Sequence, residues 1–244
     1  MLNYALNGIN HNEIGAYAYM LQESNLQAVI GDIKCIFELG ARTAEDSIAL
    51  ADIFKCQVHA FEPNPIALEF CREHLKGRTD IILNANAVAN FNGKVDFYAV
   101  DTSAYPNVGA SSLYQFNLDP QIQPPEVMRA GDKIQYKIDV DCIRLSDYCD
   151  THNVLPDAIF MDIQGAELDA LKGLGDKLKN VKLIAMETQY HSGYIGAPTW
   201  FDIDPFLKEN GFKFAWCWQT HANKLPDIPN PPREAWWDMI YIRA

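Results

Sequence analysis

"FELGARTAED", residues 37–46, decides how this chain is read. An apolar run that begins at Cys35 ends at a sharp glycine and opens onto a helix-forming segment, the layout of a nucleotide-binding loop. In the dinucleotide loop G-x-G-x-x-G, the second and third glycines bring the backbone up to a pyrophosphate and pack helix on strand. Here those positions hold Arg42 and Glu45, and Glu38 sets a carboxylate where it would repel a phosphate. S-adenosylmethionine (SAM) carries a sulfonium and an ammonium and no phosphate, so the loop fits it better than a dinucleotide.

Working outward, strands and helices alternate. "CIFEL" (35–39) reads as a buried strand and "TAEDSIALADIFK" (43–55) as a helix with Thr43 as its N-cap. "QVHAF" (57–61) is a second strand. "NPIALEFCREHLKG" (64–77) is a helix capped by Asn64, with Pro65 in its first turn and Gly77 at its end. "DIILNANAV" (80–88) is a third strand and its exit loop. Short joins of this kind imply parallel pairing with right-handed crossovers. Glu62, at the end of the second strand, lies where an acid would meet ribose hydroxyls, a feature that SAM and NAD enzymes share.

Residues 89–140 break the rhythm. "KVDFYAV" (94–100) and "IQYKIDV" (134–140) read as strands around a Pro-, Gly- and Ser-rich stretch. That stretch, residues 101–135, is long enough to be a lid or an acceptor loop. Alternation resumes with strand "AIFMDI" (158–163), helix "AELDALKGLGDKL" (166–178) and strand "VKLIAMET" (181–188). A short helix is expected from Asp204 and Pro205 to Asn210, then strands at 212–218 and 237–243. The expected fold is α/β in three layers, with a seven-stranded, mostly parallel sheet containing one antiparallel strand. The domain spans residues 35–244, behind a helical extension at 1–34 that includes "NEIGAYAYMLQES".

The 244 residues carry a net charge of −12, which argues against a nucleic-acid partner because phosphate contacts need clustered Lys and Arg. The six cysteines form no Cys-x-x-Cys pair and read as buried thiols of a cytoplasmic protein. No apolar run of spanning length and no signal-type leader is seen, so no membrane partner is expected. No tyrosine is followed four residues on by lysine, and there is no phosphate loop or His-Glu-x-x-His helix.

Several segments resemble the FkbM-type SAM-dependent methyltransferases: "FELGARTAED", "VHAFEPNPIALEFCREHL", "LNANAVANFNGKVDFY", "GASSL", "MDIQGAELDALKG" and "WWDMIYIRA". They run in family order from about residue 35 to the end. The resemblance implies a class I methyltransferase (Rossmann-like) fold and methyl transfer to a hydroxyl of a sugar, glycan or related small molecule. It also implies that Glu38, Gly40 and Ala41 surround the methionine part of SAM. By the same resemblance, Glu62 takes the ribose with Pro63 and Asn64 beside it, Asn86 and Ala87 hold the adenine, and Asp162 faces the transfer site. Ser111 and Ser112 of "GASSL" are set to contact SAM or acceptor, with Tyr105 and Tyr114 lining the lid. The family loop usually reads D-x-G-A-N-x-G. Here Glu38 replaces Asp, Arg42 replaces Asn, Ala44 replaces the second glycine, and Gln164 stands where many members have Glu.

Transfer to an alcohol oxygen calls for a group that removes its proton. Asp162, Glu187 and His191 lie on one rim of strand ends, with His191 or Asp162 the favoured base. The same three would hold a divalent cation if the reaction used one, although a metal-free route is favoured. "NPPR" (230–233) resembles the motif of amino-methylating DNA enzymes but has Arg where an aromatic ring should stack, and reads as loop punctuation. Among the five tryptophans, Trp200 is the preferred acceptor contact. Methylation at nitrogen or of a nucleic acid, and a non-catalytic SAM-fold scaffold, are the alternatives. Oligomeric state is not legible.

Overall fold

The computed structural model describes Tyr17, Met20, Leu21, Ser24, Leu26, residues 30–218 and residues 236–244. Its main sheet holds seven strands. These are β1 (Cys35–Leu39), β2 (Gln57–Phe61), β3 (Ile81–Asn84), β7 (Ala158–Met161), β8 (Leu183–Gln189), β9 (Phe212–Cys217) and β10 (Trp236–Arg243). Their order is β3-β2-β1-β7-β8-β10-β9. The first five pair in parallel, whereas β10 runs antiparallel to both β8 and β9. A second sheet of β4 (Ala87–Ala89), β6 (Gln135–Arg144) and β5 (Gly93–Val100) stands beside it, with β6 central. The segment expected to be a third strand and its exit loop, 80–88, therefore holds β3 and the start of β4, strands of two sheets separated by Ala85 and Asn86.

Period-2 alternation sorts the strand residues onto two faces. Phe37, Leu39, Phe61, Ile159, Met161, Ile184 and Met186 point to one side. There they pack on α4 (Leu145–His152), α5 (Glu167–Leu174) and α6 (Trp200–Glu209). Ile36, Val58, Ala60, Ala158, Phe160 and Ala185 point to the other side. They meet α1 (Glu45–Phe54), α2 (Pro65–His74) and the helical residues Tyr17, Met20 and Leu21 of the N-terminal segment. This is the class I methyltransferase architecture, three layers around one sheet.

Helix boundaries moved where local chemistry differs from the expected signal. The N-cap of α1 is Ala44, not Thr43, whose exposed hydroxyl donates to Glu45 instead. In α2, Asn64 caps as expected, its Oδ1 accepting from the Ile66 N–H at 2.9 Å, with Pro65 at N1. The last helix, α6, begins at Trp200 and not Asp204, because Thr199 and Asp202 form a reciprocal capping box and Pro205 is carried inside the helix. The 101–135 stretch holds a 3-10 turn at Val108–Ala110 and a short helix, α3 (Pro125–Ala130). It packs a small core of its own with Tyr194 and Ala197, including Val100, Phe116, Val127 and Ile134. The "NPPR" stretch lies outside the described residues, as does most of residues 1–29.

Candidate functional site

The order of strands reverses beside β1, so a crevice opens outside the carboxyl ends of β1, β2 and β7. Backbone bonds weld that floor. The N–H groups of Gly40 and Ala41 both donate to the Phe61 carbonyl, at 2.9 and 3.0 Å, and the Asp162 N–H donates to the Leu39 carbonyl at 3.0 Å. Gly40 sits at φ +87°, and a Cβ there would lie 2.1 Å from the Asp162 carbonyl oxygen. Only glycine fits. Ala44 does occupy the left-handed region, at φ 64°. The second glycine of the family loop is thus replaced at a position that still demands positive φ, a strain of about 1 kcal/mol.

Glu62 is buried at 6% exposure, yet both carboxylate oxygens are spoken for. Oε2 accepts from the Arg42 N–H at 2.8 Å and Oε1 from the Asn64 N–H at 2.7 Å. Burial outweighs these two bonds and lifts its pKa to about 7. Each oxygen keeps a further lone pair for a ligand donor. Asn64 itself turns away to cap α2 and donates through Nδ2 to Ser111 Oγ at 2.9 Å. Glu38 is also buried and accepts from the Ser47 hydroxyl. Burial, then the neighbouring Asp46 carboxylate, raises its pKa well above the usual range.

These groups line a cavity enclosing about 1060 Å³, its open mouth included. Of the residues expected to hold a cofactor, Glu38, Gly40, Ala41, Glu62, Pro63, Asn86, Ala87 and Asp162 line it. Asn64 and Ser112 do not. Ser112 instead donates to the Gln164 carbonyl at 2.7 Å, and its neighbour Ser111 takes the place in the wall. The lining carboxylates are Glu38, Glu45, Asp46, Glu62, Asp162 and Asp238, with Arg42 the one cation among the described lining residues. Such a wall favours a cation and repels a phosphate.

Asp162 and Glu187 are brought together by a residue that the sequence marked only as a departure. Gln164 Nε2 donates to Asp162 Oδ1 and to Glu187 Oε2, the latter at 2.8 Å. Its Oε1 accepts from the Tyr194 hydroxyl at 2.7 Å. Burial raises the pKa of Asp162, and of Glu187 still further, the Asp162 charge adding to the second. His191 stands apart from them. It is exposed, edge-on to Tyr190 with centroids 4.8 Å apart, and is not among the cavity-lining residues. Among the described residues no group of three or more His, Cys, Asp or Glu is arranged to hold a metal ion, so Asp162, Glu187 and His191 do not converge on one.

The aromatic expectations divide in the same way. Trp200 is partly buried against the core and donates from Nε1 to the Tyr241 hydroxyl at 2.9 Å. Tyr114 donates to Asp169 at 2.7 Å, and Tyr105 packs edge-on to Phe116. Sequence reasoning missed Tyr17, Phe97 and Asp238, which line the cavity from distant parts of the chain. It also passed over Glu167, whose buried Oε1 accepts from the N–H groups of Ile163 and Gly165 and shapes the loop after β7. For Glu167 a signal existed: an acid in the first turn of a helix, just after a glycine.

Residues 38–214 match the methyltransferase FkbM domain, well over half of the chain. The chain belongs to the FkbM methyltransferase family. It is 28% identical over 166 residues to the 2-O-methyltransferase NoeI of Sinorhizobium fredii (strain NBRC 101917 / NGR234). That match takes in 66% of this chain and 65% of NoeI, so the FkbM chain spans just under two thirds of its relative's length. Among solved structures it is similar in fold to the Methanococcus jannaschii fibrillarin pre-rRNA processing protein, with a TM-score of 0.52 at 14% identity. The overlap covers 96% of this chain and 76% of that one. A ribosomal protein L11 methylase from Lactobacillus delbrueckii subsp. bulgaricus aligns at TM-score 0.48 and 13% identity, over 96% of this chain and 80% of that one.

Proposed function

We propose that this FkbM-family chain is a SAM-dependent O-methyltransferase whose acceptor is a hydroxyl of a sugar, glycan or related small molecule. One observation carries the cofactor half: a cavity at the strand ends walled by six carboxylates, in which buried Glu62 is held by two backbone N–H groups. A ligand with a sulfonium, an ammonium and a ribose diol, and no phosphate, matches that wall. The relative named as a 2-O-methyltransferase supports oxygen as the accepting atom.

When bound, SAM supplies a methyl group on a positive sulfur, open to in-line attack. The chain's own residues do the rest. Glu62 takes the ribose hydroxyls, Asn86 and Ala87 border the base, and Glu38 with Gly40 and Ala41 cradles the amino-acid end. Asp162, with Glu187 beside it across Gln164 Nε2, takes the acceptor proton. Its raised pKa makes it a better proton acceptor than an exposed carboxylate, while the amide keeps it oriented. Residues 101–135, packed on the loop that carries Tyr194, form the wall over the acceptor.

Calorimetric titration with SAM, with NAD as control, tests the reading. Micromolar SAM binding with no NAD heat, weakened at least about tenfold in Glu62→Ala, is the expected result. A folded protein that takes up no SAM would overturn it. Methyl transfer from labelled SAM to a panel of sugars and to nucleic acid then tests the acceptor class, and label appearing on nucleic acid alone would overturn that half.

A further inference from the structure

The match to the family begins at residue 38, yet a residue well before it forms part of the cavity wall. Tyr17 lies within electrostatic reach of Asp46, Asp162, Glu187 and Asp238. Three hydrogen bonds hold it. Its backbone N–H donates to Asp46 Oδ1 at 2.9 Å, and its hydroxyl donates to the Met161 carbonyl. The same hydroxyl oxygen accepts from the Glu187 N–H at 3.2 Å. The ring packs on Phe160, with centroids 5.7 Å apart, and the residue is 7% exposed.

Met161 ends β7 immediately before Asp162, and Glu187 lies near the end of β8. One phenol therefore spans the two strand ends from which both reactive carboxylates project. Burial and the surrounding carboxylates, Asp162 foremost, push its ionisation well above the ordinary tyrosine value, so the hydroxyl keeps the proton that it donates. Its hydrogen bonds run to α1, β7 and β8, and its ring packs on β7. Asn86, Ala87 and Phe97 line the cavity from the β3 exit and the second sheet.

We infer that Tyr17 is a positioning and specificity residue: its ring walls the amino-acid end of the cofactor cavity, and its hydroxyl fixes the backbone that presents Asp162 and Glu187. The inference rests on the assignment of SAM to this cavity. It accounts for a job that the family-matched region leaves to the N-terminal segment, closing the acidic end against water.

The test compares SAM with 5′-methylthioadenosine, which keeps adenine, ribose and sulfur but lacks the amino-acid arm. Both are titrated calorimetrically into the wild-type protein and into Tyr17→Ala and Tyr17→Phe. Tyr17→Ala is expected to weaken SAM by about tenfold or more while changing methylthioadenosine by less than about threefold. Tyr17→Phe, which keeps the ring, is expected to hold SAM within about threefold of wild type. Equal weakening of both ligands by Tyr17→Ala, or none of either, would overturn the inference and leave the SAM assignment standing. A wild-type protein that binds neither ligand would overturn both. Should Tyr17→Ala fail to fold, Tyr17→Leu keeps apolar bulk against Phe160 and is titrated in its place by the same criterion.

Discussion

Replacing Gly40 with alanine would set a methyl carbon 2.1 Å from the Asp162 carbonyl oxygen, at a φ of +87° that alanine resists. The two strand ends would have to part. We expect Gly40→Ala to lose at least about 3 kcal/mol in urea unfolding, and SAM binding with it. Gln164 makes a second residue-scale case. Its amide hydrogen bonds hold down the pKa of Asp162 and of Glu187, so Gln164→Met should raise both. The acidic limb of the transfer rate against pH is then expected to move to higher pH, with the rate falling about tenfold or more. An unmoved limb would show that these carboxylates do not take the proton. The place of Glu38, Gly40 and Glu62 in the cavity wall was legible because strand ends and a glycine turn are local patterns. The positions of Tyr17 and Asp238 in that wall, and of Gln164 between Asp162 and Glu187, were not, because each depends on partners far away in the chain.

At the scale of the element, α2 joins the two halves of the site. Its cap, Asn64, has a backbone N–H on Glu62, an Oδ1 on Ile66 and an Nδ2 on Ser111. Asn64→Ala is expected to cost about 1–2 kcal/mol in denaturant unfolding. It should also weaken SAM, because Ser111 loses a partner in the cavity wall. A change within about 0.5 kcal/mol would mean that the Asn64 cap contributes little to stability. Element types and order were readable from period and punctuation, including the late antiparallel strand. Boundaries failed where one signal masked another. Pro205 looked like a helix start, although the Thr199–Asp202 capping box, which begins six residues earlier, already provides one. The second strand that begins within 80–88, Ala87–Ala89, left no mark, since its three residues are all buried and show no alternation. That His191 is exposed and Trp200 packs against the core was hidden for a related reason: neither residue type reveals whether its side chain turns toward solvent, core or cavity.

For the whole molecule, the acidity of the cavity sets a pH dependence. Glu62 and Glu167 both have pKa values of about 7 in the folded chain against an ordinary 4.5. The folded state therefore holds more protons than the unfolded state between those values, and stability falls as pH rises from about 4.5 to 7. The ligand-free protein is expected to melt at a lower temperature at pH 8 than at pH 5.5, whereas most proteins with paired carboxylates gain over the lower part of that range. A cation entering the cavity favours the ionised form of Glu62. SAM binding at pH 6.5 is therefore expected to release protons and to tighten as pH rises toward 8, which calorimetry in buffers of different ionisation enthalpy would read directly. Binding that is blind to buffer would contradict the acidic-wall account.

The position of β10 between β8 and β9 has a consequence for how the chain is made. During synthesis β9 leaves the ribosome before β10, yet among the described residues its sheet partner is β10 alone. Until residues 236–243 emerge, a nascent chain can assemble the five parallel strands but must leave Phe212–Cys217 unpaired, with the edge of β8 open. A chain stalled before that point would expose two sticky edges at once. Pairing of β9 should therefore wait for the emergence of β10, and holdase chaperones should meet this protein chiefly in that interval.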